Sequence, residues 1–409
     1  MIEVIITWVV AAFALYVGLF WVFIALNNRR ILGDYPKPTR WRSLSIIVPA
    51  YNEEKSIAKC VRSLLRLNYP SKPQIIVVND GSTDGTAREV SKIAAKHANV
   101  KLISQPNRGK GAALNAGLRI AKGELVAVMD ADSTVSPDVM DSIVAHFDSP
   151  RVGATVAAVK TSKPTGVLAR MQHAEYIISC LYRRLGSLTS TLYVTPGAFS
   201  VFRRSAIKAL GSFDEGNLTE DMEIALRLQA NGWEIRNSMV ATAYTQLPET
   251  PRAFYRQRIR WYRGLLENTW KYRRMLFNPR YGLLGMWQLP MNIIFPFISL
   301  LVIAMFAWFA AYGLYHLFLE LSIVGFHFGS FSLERMLLGY DWRFVHPWIM
   351  TFLFGLGILI FSVHTMRERV SKNIGCLTAF IFLLVYYTII NVLWVFAFFK
   401  SLSKSERRW

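Results

Sequence analysis

Cysteine is scarce: three in 409 residues, Cys60, Cys180 and Cys376, all far apart. That spacing excludes a disulfide framework and any cysteine-based metal motif. Three free thiols in a reducing compartment is the reading that remains. The seven histidines show no paired ligand spacing, and His173 and His346 read as structural. No internal repeat or low-complexity segment is evident. A Walker-type loop is also missing: Asn107-Arg108-Gly109-Lys110-Gly111 lacks its spacing and the Ser/Thr after the lysine. Acid is in deficit, 27 Asp and Glu against 47 Lys and Arg, for a formal charge of +20. Such a balance calls for an anionic partner. Nucleic acid, anionic lipid and a phosphorylated substrate are the candidates. The apolar runs described next favour the last two.

Hydrophobic residues make up 53% of the chain, and they are segregated from the basic ones. Residues 4–26 form an apolar run long enough to cross a bilayer. Asn27-Asn28-Arg29-Arg30 follows, which places the next domain on the cytosolic side. The run exceeds a signal-peptide core and shows no cleavage site, so it reads as a retained helix. The C-terminal part is apolar from about 290 to 399, with good spans at 290–315, 345–363 and 376–399. Four membrane helices are therefore expected, and a fifth at 317–331 is the alternative. Four leave the basic tail, 400–409, outside; five bring it in but export 367–372.

The middle of the chain reads as an ordinary globular domain. Runs rich in Ile and Val at 45–51, 74–80, 100–105 and 124–130 suit buried parallel strands. Helical stretches such as 56–67 and 85–97 lie between them. Alternation of this kind indicates an α/β domain with a mainly parallel sheet. Ligands bind such sheets beyond the carboxyl ends of the strands. Tyr51 to Glu54, Asp80, and Asp130 to Asp132 all fall at those ends. From 251 to 277, arginines and lysines alternate with Phe254, Tyr255, Trp261, Tyr262, Trp270 and Tyr272. That mixture suits a helix in the membrane interface, and 170–188 is a candidate second one. A nucleic-acid surface is the competing reading, disfavoured because an apolar run begins a few residues later.

Five motifs carry the chemistry: Pro49-Ala50-Tyr51-Asn52-Glu53-Glu54, Asn79-Asp80-Gly81-Ser82, Asp130-Ala131-Asp132, Thr219-Glu220-Asp221, and Gln257-Arg258-Ile259-Arg260-Trp261. Each has a bland reading. Asp80 can be a turn residue bonding its own backbone. Asp130 and Asp132 can cap a loop or a helix starting at 133–137. They can equally hold Mg²⁺ or Mn²⁺, which need only one or two carboxylates beside phosphate oxygens. Thr219 can cap a helix with two acids in its first turn. Arg260 and Trp261 can anchor to lipid.

All five, in this order, resemble the processive, membrane-embedded family 2 glycosyltransferases, the synthases of cellulose, chitin, hyaluronan and poly-N-acetylglucosamine. The Thr-Glu-Asp wording, Pro248-Glu249-Thr250 and Gly264 are most similar to the poly-N-acetylglucosamine synthases. The resemblance covers about residues 40–290 by motif and the flanks by layout. It implies a GT-A type nucleotide-diphospho-sugar transferase domain at 40–250, interfacial amphipathic helices at 251–289, and α-helical transmembrane segments at 4–26 and 290–399. The implied location is the plasma membrane, multi-pass, with the catalytic domain in the cytosol.

The resemblance also implies an inverting transfer from a UDP-sugar, first of all UDP-N-acetylglucosamine, to a growing polysaccharide that the membrane helices export. It assigns the general base to Asp221, beside Glu220, and nucleotide contacts to Tyr51, Glu53, Asp80, Lys110 and Asp130. Asp130 and Asp132 are the implied ligands of Mg²⁺ or Mn²⁺. Gln257, Arg260 and Trp261 serve the diphosphate and the acceptor sugar. Thr195-Pro196-Gly197-Ala198-Phe199 stands where the family has a small-residue segment near the acceptor, in unusual wording. Small membrane subunits assist some relatives. The alternative is transfer of one sugar to a lipid or lipid-linked acceptor. A transporter or receptor is disfavoured because few charges lie in the apolar spans.

Overall fold

The protein was analysed as a computed structural model, which describes residues 2–33, 37–161, 164–324, 342–366, 368 and 373–402. Eight strands form one sheet in the order β3-β2-β1-β4-β7-β6-β8-β5. They are β1 (Leu44–Ala50), β2 (Gln74–Asp80), β3 (Val100–Gln105), β4 (Leu125–Val128), β5 (Thr134–Val135), β6 (Val152–Thr161), β7 (Ser200–Arg203) and β8 (Glu234–Thr245). β1 to β4 are joined in parallel, as is β6 to β8, whereas β7 runs antiparallel to both β4 and β6. The sheet is thus mixed but mostly parallel. The helix start at 133–137, one of the alternative readings of Asp130 and Asp132, is not formed. Thr134 and Val135 pair with Tyr244 and Ala243 instead.

The helices of the described residues are α1 (Ile2–Asn27), α2 (Arg29–Leu32), α3 (Ile57–Leu65), α4 (Thr86–Ala94), α5 (Lys110–Ile120), α6 (Val139–His146), α7 (Gly166–Leu188), α8 (Arg204–Leu210), α9 (Glu220–Ala230), α10 (Pro251–Lys271) and α11 (Leu289–Val324). Two further stretches follow, Trp342–Thr365 and then Cys376–Ile381, a π-helical turn Phe382–Tyr386 and Tyr387–Leu402.

The central strands β1 and β2 are buried along almost their whole length, and mostly apolar, because both faces are covered. Alternate side chains point to opposite sides of a strand. Ile46, Val48, Ile75 and Val77 pack with Ile57, Val61 and Leu64 of α3 and Ile143 of α6. Ile47, Ile76, Val78 and Val126 pack with Ala113 and Leu114 of α5 and Ile224 and Leu228 of α9. The layers fix the sheet, and the sheet sets the ends of β1, β2 and β4 at one edge.

The two helices read as interfacial also pack against the rest of the protein. α7 buries residues on two sides. Leu181 and Leu185 meet Trp21 and Ile24 of α1, while Cys180 donates to the Val159 carbonyl at 3.3 Å and Arg184 to that of Asn237 at 2.7 Å. α10 buries Phe254, Arg258, Ile259, Arg263 and Gly264. It lies against α9 and the helix Tyr387–Leu402. Burial on one face and exposure of Tyr255 and Trp270 on the other explain why the sequence pattern reads as amphipathic.

Among the described residues, three helical stretches are long and apolar enough to cross a membrane: Val4–Asn27, Leu284–Met305 and Cys376–Ser401. The span expected at 345–363 belongs to the helix Trp342–Thr365, whose apolar part, Ile349–Thr365, is shorter. The alternative helix at 317–331 is, up to Val324, a continuation of α11. Its remainder, residues 367 and 369–372 of the interruption, and tail residues 403–409 lie outside the described residues.

Candidate active site

Residues from separate strands and helices meet beyond the carboxyl ends of β1, β2 and β4. The two loops after β1 and β2 are laced together. The Asn52 amide donates to Ser82 Oγ at 3.0 Å, and the Thr83 amide donates to Asn52 Oδ1 at 2.9 Å. Asn52 pays for this with a positive φ of 54°, which asparagine tolerates better than most residues. Tyr51 remains half exposed at the rim. Glu53 sits behind it, its carboxyl raised by burial, against the lowering effect of the Ser56 hydroxyl, with further raising by Asp130 and Asp84.

Asp80 is buried, at 3% exposure. Its carboxylate accepts from the backbone amides of Arg108 (3.1 Å) and Gly109 (2.8 Å) and from the Gln105 side chain (2.7 Å). Both oxygens are thereby committed to holding the 107–111 loop. Gly109, with φ of 90°, turns that loop into α5, a backbone state that only glycine adopts freely. The loop presents Lys110 at the helix start.

Lys110 Nζ lies 2.7 Å from Asp130 Oδ1 and 2.8 Å from Glu220 Oε1. Burial alone would push this ammonium down. Asp130, Glu220 and Asp221 hold it above the ordinary lysine value. Gly197 makes room for the arrangement. A Cβ there would lie 2.5 Å from Asp130 Oδ2 and 2.6 Å from Lys110 Nζ. The Asp130 amide in turn donates to the Gly197 carbonyl at 2.8 Å.

Asp132 takes a bond from Ser133 Oγ at 2.9 Å. Its pKa is pushed up to about 6, by burial first and then by the Asp130 and Glu53 charges. Cys60 lies beneath the pair, its thiol raised by burial and by these same acids, which makes it a poor nucleophile. Among the described residues no group of three or more His, Cys, Asp and Glu forms a ready-made metal cluster. Two carboxylates of this kind nonetheless fit a divalent cation that keeps water and phosphate ligands. Their mutual repulsion is what such a cation relieves, and the Gly197 cradle keeps Asp130 uncovered.

Glu220 and Asp221 open α9. Thr219 stands at the N-cap position but its hydroxyl makes no cap bond. It accepts from Asn268 Nδ2 of α10 at 2.9 Å instead. Asp221 is half-buried, and its pKa rises to about 7, through desolvation and then Glu220, against the lowering effect of Lys110. Its backbone carbonyl accepts from Thr195 Oγ1 at 2.7 Å, so the 195–199 segment braces this helix start.

Gln257, Arg260 and Trp261 share one face of α10, being three and four residues apart. Arg260 is close enough to Asp221 to lower its pKa. The buried Oε1 of Gln257 has no hydrogen-bond partner. Trp261 is half buried, with the Arg258 guanidinium 4.4 Å from its ring centre. The structure therefore brings Lys110, Asp130, Asp132, Glu220, Asp221 and Arg260 into one charged cluster. Tyr51 lies at its rim and Asp80 beneath its loop. Sequence reasoning missed Glu175, which bonds Arg258, and Asn268. Both are single polar residues inside helices, with no spacing that marks them.

Comparison with known proteins agrees with this geometry. Residues 45–211 match the sequence profile of glycosyl transferase family 2. A poly-beta-1,6-N-acetyl-D-glucosamine synthase of Staphylococcus epidermidis is 32% identical over 234 residues, 56% of each chain. The enzyme of the same name in Staphylococcus aureus strain COL is 31% identical over 224 residues, 54% of each. The chain thus spans about half the length of the curated relatives it matches. Among solved structures, a mannosyltransferase from Pyrobaculum calidifontis in complex with GDP-Man and Mn²⁺ is similar over 99% of this chain and 100% of its own, with a TM-score of 0.66 at 20% identity. That likeness concerns the fold. The sheet and its site edge are those of a GT-A type fold, and residues 45–211 match glycosyl transferase family 2.

Proposed function

We propose that the protein transfers a sugar, first of all N-acetylglucosamine, from a UDP-sugar to a growing polysaccharide with inversion, and that its apolar helices export the product. The observation that carries this reading is the Lys110–Asp130–Glu220 cluster beside Asp221. Cation, carboxylate pair and a carboxyl raised toward neutrality meet at one sheet edge. A sugar nucleotide needs those three parts. The match to synthases over half the chain supports the donor.

The mechanism follows from the residues. Tyr51 and Glu53, at the rim, take the nucleoside. Asp80 acts through the 107–111 loop, whose amides it fixes. Lys110 is charged and placed to exchange one carboxylate partner for a diphosphate oxygen. Arg260 adds a second cation with a fork of donors suited to phosphate. Asp130 and Asp132 would hold Mg²⁺ or Mn²⁺, which supplies charge neutralisation on the leaving diphosphate. Asp221 takes the acceptor hydroxyl's proton as its oxygen attacks the anomeric carbon. Its raised pKa keeps it near the working pH. Trp261 offers an aromatic face to the apolar face of the acceptor ring, and Gln257 an unpaired acceptor atom.

One observation favours the second reading, transfer to a lipid-linked acceptor. The helices form an open cleft of about 690 Å³ whose lining is largely apolar, including Val10, Ala14, Phe295, Phe352 and Leu384. An acyl or isoprenoid chain fits such walls better than a glycan does. Product size separates the two. Detergent-purified protein is given a panel of radiolabelled UDP-sugars with Mg²⁺ or Mn²⁺. A high-molecular-weight product from one donor supports polymerisation. A single-sugar, lipid-extractable product refutes it and keeps the site.

A further inference from the structure

We propose that Glu175 is a positioning residue for the acceptor side of the site, acting through Arg258 on Trp261, and that Tyr386 makes the apolar helical bundle part of the same clamp. This rests on Trp261 as the acceptor platform.

Arg258 is 2% exposed. A guanidinium so deeply buried is stable only where its charge and its donors are met. Glu175 of α7 meets the charge and the two terminal nitrogens in the two-pronged manner, Nη1 to Oε1 at 2.9 Å and Nη2 to Oε2, while Nε has no hydrogen-bond partner. Such a pair fixes the plane of the guanidinium as well as its position. Tyr386, in the π-helical turn, donates its hydroxyl to Glu175 Oε2 at 2.8 Å and lies 3.3 Å from Arg258 Nη2. Three elements distant in sequence therefore converge on one charge. The guanidinium sits 4.9 Å from the Phe254 ring centre and 4.4 Å from that of Trp261, its neighbours four residues before and three after on α10. A cation over the ring face is attracted to it. With Arg258 fixed by Glu175, one face of Trp261 is covered and its tilt is set. The other face is the one left for a sugar.

A clamp that only held helices together would need neither this plane nor the contact with Trp261. The second link is to the bundle. Tyr386 is rooted among Phe382, Leu359 and Val363, so movement of those helices reaches Trp261 through a hydroxyl and a carboxylate. π-Helical turns recur at functional sites, and here the turn carries the residue that touches the clamp.

The test uses Tyr386→Phe, which removes one hydroxyl, and Glu175→Gln and Arg258→Lys in the full chain. UDP-N-acetylglucosamine is the donor and free N-acetylglucosamine the acceptor probe. The expected result is an acceptor KM raised about five- to tenfold in Tyr386→Phe, the scale of the net worth of one ordinary hydrogen bond. Donor hydrolysis without acceptor and UDP affinity should stay within twofold of the parent. Arg258→Lys should fail like Glu175→Gln, because an ammonium keeps the charge but not the fork. Emission of Trp261, taken as the difference between each protein and its Trp261→Phe counterpart, should shift to longer wavelength in Tyr386→Phe. An unchanged acceptor KM and an unchanged difference spectrum in Tyr386→Phe would overturn the proposal. So would parallel loss of UDP binding in all three variants, which marks a purely structural role. A parent protein that binds no UDP refutes the donor assignment instead, and the emission difference still decides the clamp.

Discussion

Replacing Asp221 by Asn removes one charge and one basic site and leaves the shape of the helix start. Met222 keeps its amide bond to the side-chain oxygen, 2.8 Å in the parent, since an amide oxygen accepts as a carboxylate does. A positioned base contributes about 10²- to 10⁴-fold to a proton transfer, so transfer should fall by about that factor. UDP affinity should hold or tighten, because a negative charge near the diphosphate is lost. The parent's pH profile adds a second check. Asp221 titrates at about 7, well above the ordinary 3.8. Only the carboxylate is a base, so transfer should be low at pH 6, half-developed near pH 7 and level above pH 8. Stability runs the other way. Between about pH 4 and pH 7 the folded protein keeps a proton that the unfolded chain has lost, so this group's cost to folding grows as pH rises through that window. The assay is initial-rate transfer from radiolabelled UDP-sugar across pH 5.5 to 9, beside UDP binding by calorimetry. Loss of UDP binding together with transfer would refute the base assignment, as would an Asn variant retaining a tenth of the parent rate.

Two further outcomes are expected. Asp132→Asn should weaken UDP binding in Mg²⁺ or Mn²⁺ and leave binding in chelator unchanged. Calorimetry with and without metal measures this, and equal affinities in parent and variant would rule out the ligand role. Asp80→Asn replaces an acceptor-only side chain that takes three bonds with one that has a single acceptor oxygen. The orphaned loop amide should cost about 1–3 kcal/mol, visible as a lowered Tm, with weaker UDP binding because Lys110 is less well placed. A Tm equal to the parent's would show that the loop holds without the carboxylate.

Much of the site was legible because strand ends are legible. Buried parallel strands are continuous apolar runs, and β2 covers the expected 74–80 in full. Once those runs are placed, Tyr51, Asp80 and Asp130 must share an edge. Long-range pairing was not legible. No spacing announces that Lys110 bridges Asp130 and Glu220, 20 and 110 residues away, or that Glu175 holds Arg258. The antiparallel β7 was hidden for a related reason. It is four residues long, too short for alternation to show, and its direction is set by pairing with β4 and β6. The protein contacts of α10 were not legible, because periodicity reports a boundary between two environments and cannot say which of them is protein.

The wording around Trp261 illustrates how a motif can be visible before its cause is. Gly264 followed Arg-Trp-Tyr-Arg only as a likeness. In the fold, a Cβ at Gly264 would lie 2.2 Å from Thr219 Oγ1, so no other residue lets α10 approach the start of α9 this closely. Asn268, one helical turn later, donates to that same hydroxyl and accepts from Asn217 Nδ2 at 2.8 Å. The Thr219 hydroxyl is thereby diverted from capping its own helix to joining two helices. That junction sets the distance between Asp221 on α9 and Arg260 on α10. The Thr-Glu-Asp motif and the turn of α10 that follows Gln-Arg-Ile-Arg-Trp thus meet in one contact, made by the Thr219 hydroxyl, the Asn268 amide and the missing side chain at Gly264.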